Sequence, residues 1–438
     1  MRALRSTGVR GLAPVVGLAL VAAGLLATPS PAAAAATGVA CTTGTSPNPT
    51  FTLTTRTGYI NLPDGNTMFM WGYSEGSQPF QHPGPVLCVN QGDTVTVILR
   101  NTLPESASII FPGQENVLAD GAPAQPQGAG STLTSLTNAA PTGGSVTYSF
   151  VASRPGSFLY ESGTNPKKQV RLGLFGALVV RPSAVPAGGT GSPAGFAYDR
   201  ADSQFTPSEE FLVLLSELDP YQHQAAEAGR AFNLASYHPR YWLLNGRGFP
   251  DSIADNGAPW LASQPYGALA RIHPYDPASH PLPGRIHYLN AGTEDFPFHP
   301  HGNNGLVIGR DGHPLEGPGG EDLSFEKFAI NIGPGQTWDV TFKWHDAEAY
   351  SLANPIPPTV TLPDLANVIV GQFYGGSPYL GVQQPLPAGT ATLNECGEYY
   401  IISHNHALFQ ITSWGMTMSG PITYARIDPP LPNTCPVP

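Results

Sequence analysis

The chain has 438 residues and a formal charge of −11, which is long enough for two or three domains with real cores and too acidic to suit nucleic acid or an anionic membrane as partners. Its 50 glycines and 47 prolines sit beside 10% aromatic residues, a balance that favours short strands and many turns over long helices or disorder.

Met1 to Ala36 reads as a secretory signal: Arg2, Arg5 and Arg10 precede an apolar run from Gly11 to Ala27, and small residues close it at Ala32 to Ala36. The mature protein is therefore expected to be secreted. Removing the segment takes away three arginines and no acid, so the formal charge falls from −11 to −14. No later stretch has the 18 or more apolar residues of a membrane span. Cys41, Cys88, Cys396 and Cys435 are even in number, as expected of structural disulfides in an exported chain. Of the three pairings, Cys41–Cys88 and Cys396–Cys435 are preferred because each closes a loop inside one domain, contributing about 3 to 4 kcal/mol by chain entropy.

Taken in order, Phe51 to Ile60 and Met68 to Tyr73 read as strands around the turn Pro63-Asp-Gly-Asn66. Val86 to Val89 and the alternating Thr94 to Leu99 follow. Leu118 to Gly144 reads as a surface loop, and Val146 to Ala152, Gly156 to Glu161 and Leu174 to Val180 complete a first domain over 37–182. Residues 183–208 open with a Pro/Gly/Ala/Ser-rich run and read as a linker.

A second domain over 209–438 has strand candidates at Glu210 to Leu215, Tyr241 to Asn245, Tyr266 to Ile272, Arg285 to Leu289 and Thr337 to Trp344. A short helix is expected near Gln222 to Gly229. A Pro-rich insertion falls near 350–390, and Glu398 to Ile402 and Leu408 to Trp414 are the last strands. Helical periodicity is scarce, so the fold class is all-β.

Two triplets carry the chemistry: His299-Pro-His301 and His404-Asn-His406. Alternate residues of a strand face the same side, so each triplet projects two imidazoles from one face. Two such strands side by side aim four nitrogen donors at one place, and neutral imidazole is the commonest ligand for copper and zinc. His313 and His345 sit at turns or strand ends. His82, His223, His238, His273, His280 and His287 are isolated, and surface or hydrogen-bonded roles are the default for all eight.

From about Gly58 to Met416 the chain resembles the multicopper oxidases, the laccase-like enzymes. The likeness rests on Pro83-Gly-Pro85 with Gly92-Asp-Thr-Val-Thr-Val97, Gly156-Ser-Phe-Leu-Tyr160, Gly173-Leu-Phe-Gly-Ala-Leu-Val-Val180, Tyr241-Trp-Leu-Leu-Asn-Gly246, His299-Pro-His-Gly302 and Pro334-Gly-Gln336. It implies two cupredoxin-like Greek-key β-sandwich domains. It also implies four His-x-His motifs around a three-copper cluster and a separate blue copper. Laid on those motifs, the first falls on Ile110-Phe-Pro-Gly113 and the second on Tyr160-Glu-Ser-Gly163, with all four histidines gone. The third and fourth survive. At the blue site the cysteine is Asn405 and the two histidines are Phe296 and Gln410. Met416 lies close to the axial position, where a core role is expected. Asparagine cannot supply the thiolate bond of a blue centre, so no laccase-type electron transfer is expected.

What remains implies a metal site of His299, His301, His404 and His406. Glu161 joins it if the first domain packs as in the family. Copper leads by the Irving-Williams order, with zinc, manganese and iron behind it. The expected function is a copper-dependent oxidoreductase acting on an unknown small-molecule substrate at a non-blue site. The alternative is a non-catalytic binding, structural or copper-sequestering extracellular protein. The two-domain layout is similar to family members that form trimers, which implies a homotrimer by analogy alone.

Overall fold

The computed structural model of the protein describes residues 37–344 and 399–428. The expected secretory signal, the expected Pro-rich insertion, His345 and the expected Cys396–Cys435 pair lie outside them. Strands dominate, in four sheets. The chain's first part supplies a six-stranded sheet, built on Thr50–Asn61, Thr67–Glu75, Thr94–Arg100 and Ser145–Val151, and a four-stranded sheet of Cys41–Thr43, Val86–Asn90, Phe175–Arg181 and Gly156–Glu161. The later part supplies a nine-stranded sheet centred on Glu210–Leu218, Gly284–Asn290 and Thr337–Phe342. It also supplies a five-stranded sheet running Ala270–Ile272, Ile422–Ile427, Tyr399–Asn405, Phe296–Pro300, Ile330–Ile332.

Alternation explains the stacking. In Thr94–Arg100, Val95, Val97 and Leu99 point one way and are buried while the threonines are not. They pack with Phe51, Leu53, Tyr148 and Phe150 against Leu87, Val89, Leu178 and Val180 of the four-stranded sheet. The other face of that sheet carries Val86, Cys88, Ala177 and Val179, which meet Leu212, Leu214 and Leu289 of the nine-stranded sheet. Strands buried on both faces read as continuous apolar runs, as in Phe-Gly-Ala-Leu-Val-Val. A third core joins Phe211, Val213, Tyr288 and Val340 to Phe296, Phe298, Ile330 and Ile427 of the five-stranded sheet. The order of layers is thus six, four, nine, five. Cys41 and Cys88 are joined by a disulfide between adjacent parallel strands. No helix among the described residues is long and apolar enough to cross a membrane.

Several elements differ from expectation. Leu408 to Trp414 is a 3-10 turn, Leu408–Ile411, followed by the two-residue strand Thr412–Ser413: Leu408 and Phe409 are exposed while Gln410 is buried, so the run does not alternate. Only Ala270–Ile272 of the expected Tyr266 strand forms. The strands Gly305–Arg310 and Ile422–Ile427 went unread; the first is framed by glycines and bulged, and the second is buried at every position. Within the expected loop, Leu118–Ala119 and Ala122–Pro123 form a small hairpin. The linker ends in buried Phe196, Tyr198 and Phe205.

A buried ionic network ties the inner layers together. Arg285 Nη2 lies 2.8 Å from Asp339 Oδ1, and Arg181 Nη2 lies 2.6 Å from Glu210 Oε2. His287 bridges Glu210 (2.9 Å) and Ser157 (2.6 Å), Ser157 donates to Asp339 (2.5 Å), and so does Tyr198 from the linker (2.5 Å). Burial pushes the Glu210 carboxyl up, but the His287 hydrogen bond and the charges of His287, Arg181 and Arg285 outweigh it and bring it to about 2. Asp339 is driven lower still: against burial stand the Arg285 charge and the bonds from His287 and Ser157.

Both carboxyls sit below their unfolded range, so their stabilisation is complete above about pH 4 and is lost as pH falls towards about 2. Urea unfolding between pH 5 and pH 2 is expected to show that decline. Arg285→Met is expected to cost about 3 to 5 kcal/mol at neutral pH, since it strands buried carboxylates, and to flatten the acid limb; an unchanged midpoint would contradict the network's role.

Candidate metal centre

The strand Phe296–Pro300 buries Phe296 and Phe298 in the core and turns Pro297 and His299 outward. Its neighbour Tyr399–Asn405 runs antiparallel with His299 opposite His404. The ladder continues past both strand ends, with His301 N–H donating to Ile402 O (3.1 Å) and His406 N–H to Pro297 O (2.7 Å). All four imidazoles are thereby brought to one patch. Ring centres lie 4.6 Å apart for His299/His301, 5.0 Å for His301/His404, 5.4 Å for His299/His406, 5.7 Å for His404/His406 and 6.0 Å for His299/His404. Gly302 makes the turn after His301 possible: its φ is +77°, and a Cβ there would lie 2.8 Å from Ile401 and 2.9 Å from the Trp344 ring.

Within the patch one pair is already close, His301 Nε2 and His404 Nε2 at 3.0 Å. His404 Nδ1 is held by Asn405 O (2.8 Å) and His299 Nδ1 by Phe328 O (2.6 Å), which puts their lone pairs on Nε2, the arrangement that orients metal-binding imidazoles; that of His404 is engaged by His301. Burial, then the neighbouring rings, lowers His301 to about 4. Burial likewise lowers His404 to about 4, with the His299 and His406 rings adding to it against the Asn405 carbonyl bond. Both are neutral near pH 7, the ligand form.

The donor set fits a transition metal in kind and spacing: two nitrogens 3.0 Å apart suit one ion about 2 Å from each. Among the described residues no group of three or more His, Cys, Asp or Glu side chains is already disposed to hold an ion. Engaging His299 and His406 therefore requires those rings to turn.

Glu161 ends the strand Gly156–Glu161 of the four-stranded sheet. It pairs with Ile110 through mutual backbone bonds of 2.7 and 3.1 Å, so the two segments that lack their histidines still lie side by side. Burial raises its carboxyl to about 6. No hydrogen bond or ion pair among the described residues joins it to the four rings, and none of them contributes to its shift.

At the positions that the resemblance lays on the blue copper ligands, amide side chains bond to one another. Asn405 Nδ2 donates to Gln410 Oε1, and Gln410 Nε2 donates to Glu294 Oε2 (2.8 Å) and Asp295 O (3.2 Å). Trp242 Nε1 donates to the same Glu294 oxygen (2.8 Å), while Phe296 is buried in the adjacent core. Met416 is only half-buried, so the expected core role is not what it has. Sequence reading missed this network because Gln410 and Glu294 are 116 residues apart and carry no motif.

A family model described as multicopper oxidase matches residues 54–185. The multicopper oxidase VdtB of Byssochlamys spectabilis is 28% identical over 200 residues, covering 45% of this chain and only 27% of that protein. Among solved structures, the multicopper oxidase mgLAC has a TM-score of 0.56 at 19% identity, covering 87% of this chain and 86% of its own. The blue copper oxidase from Nitrosomonas europaea matches at 0.56 and 18%, with the same coverage of both chains. Residues 54–185 thus resemble the multicopper oxidase family, and the chain as a whole shares the fold of those solved structures. Copper is the cofactor that this likeness implies, and the four layers are two sandwiches of the kind seen in those structures.

Gln410→Ala is expected to destabilise the protein by about 1 to 3 kcal/mol, because it leaves the Asn405 amide and the Glu294 carboxylate without their buried partner. Denaturant midpoints of the variant and the parent check it.

Proposed function

We propose that this multicopper oxidase relative is an exported copper protein with oxidoreductase chemistry at a non-blue site made by His299, His301, His404 and His406. The observation that carries the reading is the convergence of four imidazoles from two paired strands, with His301 and His404 already 3.0 Å apart. Export is supported by the leader-like first 36 residues and by the Cys41–Cys88 disulfide, which belongs to oxidising compartments.

Bound copper would supply one-electron redox chemistry at a site that the protein leaves half open. The chain's own part is to offer neutral donors. The Phe328 and Asn405 carbonyls fix which nitrogen of His299 and His404 is free, and half-exposed His299 and His301 with exposed His406 leave access for a small molecule. With Asn405 and Gln410 in place of blue-site ligands, the four histidines alone would hold the copper, and a substrate would have to reach it there directly. A second reading, a metal-free or copper-sequestering binding protein, is favoured by the direct His301–His404 hydrogen bond, which closes that pair on itself.

Metal analysis after dialysis against copper separates the copper-binding readings from the metal-free one. The wild type is expected to retain copper in stoichiometric amount, His301→Ala/His404→Ala to lose it, and Glu161→Gln to keep it. Equal copper in the double variant and the wild type would reject the site.

A further inference from the structure

A cavity of about 630 Å3 opens between the Thr50–Glu75 hairpin, the helix Pro220–Glu227 and the short hairpin Thr412–Thr417. None of the four histidines lines it. Its walls carry four aromatic rings, Tyr59, Phe69, Tyr241 and Trp414, and its charged lining groups are two carboxylates, Asp64 and Glu227, with no Lys, Arg or His.

Trp414 is the informative residue. With Gly415 it forms the two-residue loop between Ser413 and Met416, and both have positive φ, +50° and +85°. Such loops select Asn-Gly or Gly-Gly, because a bulky side chain is strained at positive φ. The fold holds the strained turn in place: Trp414 N–H donates to Arg240 O (2.8 Å), and the indole is flanked by Tyr221 at 5.9 Å and Tyr241 at 6.1 Å between ring centres. Yet the side chain stays 47% exposed. Strain accepted in order to present a large ring at a cavity, where folding gains little from it, is the mark of a ligand contact.

The carboxylates are fixed by neutral donors. Asp64 Oδ2 accepts from the Tyr241 hydroxyl (2.8 Å) and Asn66 Nδ2 (2.9 Å), its Oδ1 accepts from Asn66 N–H (3.1 Å), and Glu227 accepts from the Tyr59 hydroxyl. They are oriented without being neutralised. Aromatic faces and uncompensated negative charge in one cleft both attract a cation. The Arg240 guanidinium, 5.9 Å from the Trp414 ring centre but outside the lining, already uses that indole so. We propose that the cavity binds a small organic cation, an amine or quaternary ammonium, over Trp414 and between Asp64 and Glu227.

Calorimetric titration of the full chain with choline and with its uncharged isostere 3,3-dimethylbutan-1-ol tests this, with glucose as a neutral stacking probe. Choline is expected to bind saturably and the isostere at least about tenfold more weakly, with about tenfold losses for Glu227→Gln and for Trp414→Leu. Trp414→Asn is expected to raise the melting temperature by relaxing the loop while abolishing choline binding, an outcome that a purely structural tryptophan would reverse. No saturable choline binding in the millimolar range, isostere binding equal to choline, glucose binding lost in Trp414→Leu, or choline binding untouched in the variants would each overturn the proposal.

Discussion

The pairing of Phe296–Pro300 with Tyr399–Asn405, with His299 opposite His404, is the constraint on which the site depends. Side chains alternate across a strand, so a slip of one residue in either partner would send its imidazoles into the sandwich and its aromatic residues to solvent. The core forbids that slip: Phe296 and Phe298 are locked among Ile330, Ile332 and Tyr288. Packing energy thus sets the register, and the register places the donors.

The same logic operates one layer further in. The four-stranded sheet packs on both faces, and polar groups trapped beside it pair across the layers, with His287, Arg285, Glu210, Asp339 and Ser157 bonded to one another. A buried ionic cluster of this sort contributes little by comparison with an apolar one, but it is costly to break. It therefore holds the two sandwiches in one arrangement. The amide chain from Asn405 through Gln410 to Glu294 and Trp242 ties the strand Tyr399–Asn405 to the segment that follows it.

Much of this was legible in the sequence. Strands with clean alternation, such as Thr94–Arg100, and runs marked by Val, Leu and aromatic residues were readable to within a residue or two, and the two histidine triplets announced that four rings would share a face. What escaped was set by contacts between residues far apart in the chain. Ile422–Ile427 has no polar face to give it a period, and the Leu408 segment was read by its apolar content although the buried Gln410 decides its path. His287 looked isolated because its partners Glu210 and Asp339 lie 77 and 52 positions away in sequence. Glu161 was assigned to the site by analogy with the family's packing, not by any feature of the sequence around it.

The central claim is that the paired strands share one copper ion through imidazole nitrogen in a protein without a thiolate relay. Electron paramagnetic resonance of the chain loaded with one equivalent of Cu(II) tests it most directly. The account predicts a tetragonal signal with hyperfine structure from several nitrogens and no intense blue absorption. A spectrum of solvated copper alone, or an intense thiolate band, would contradict it.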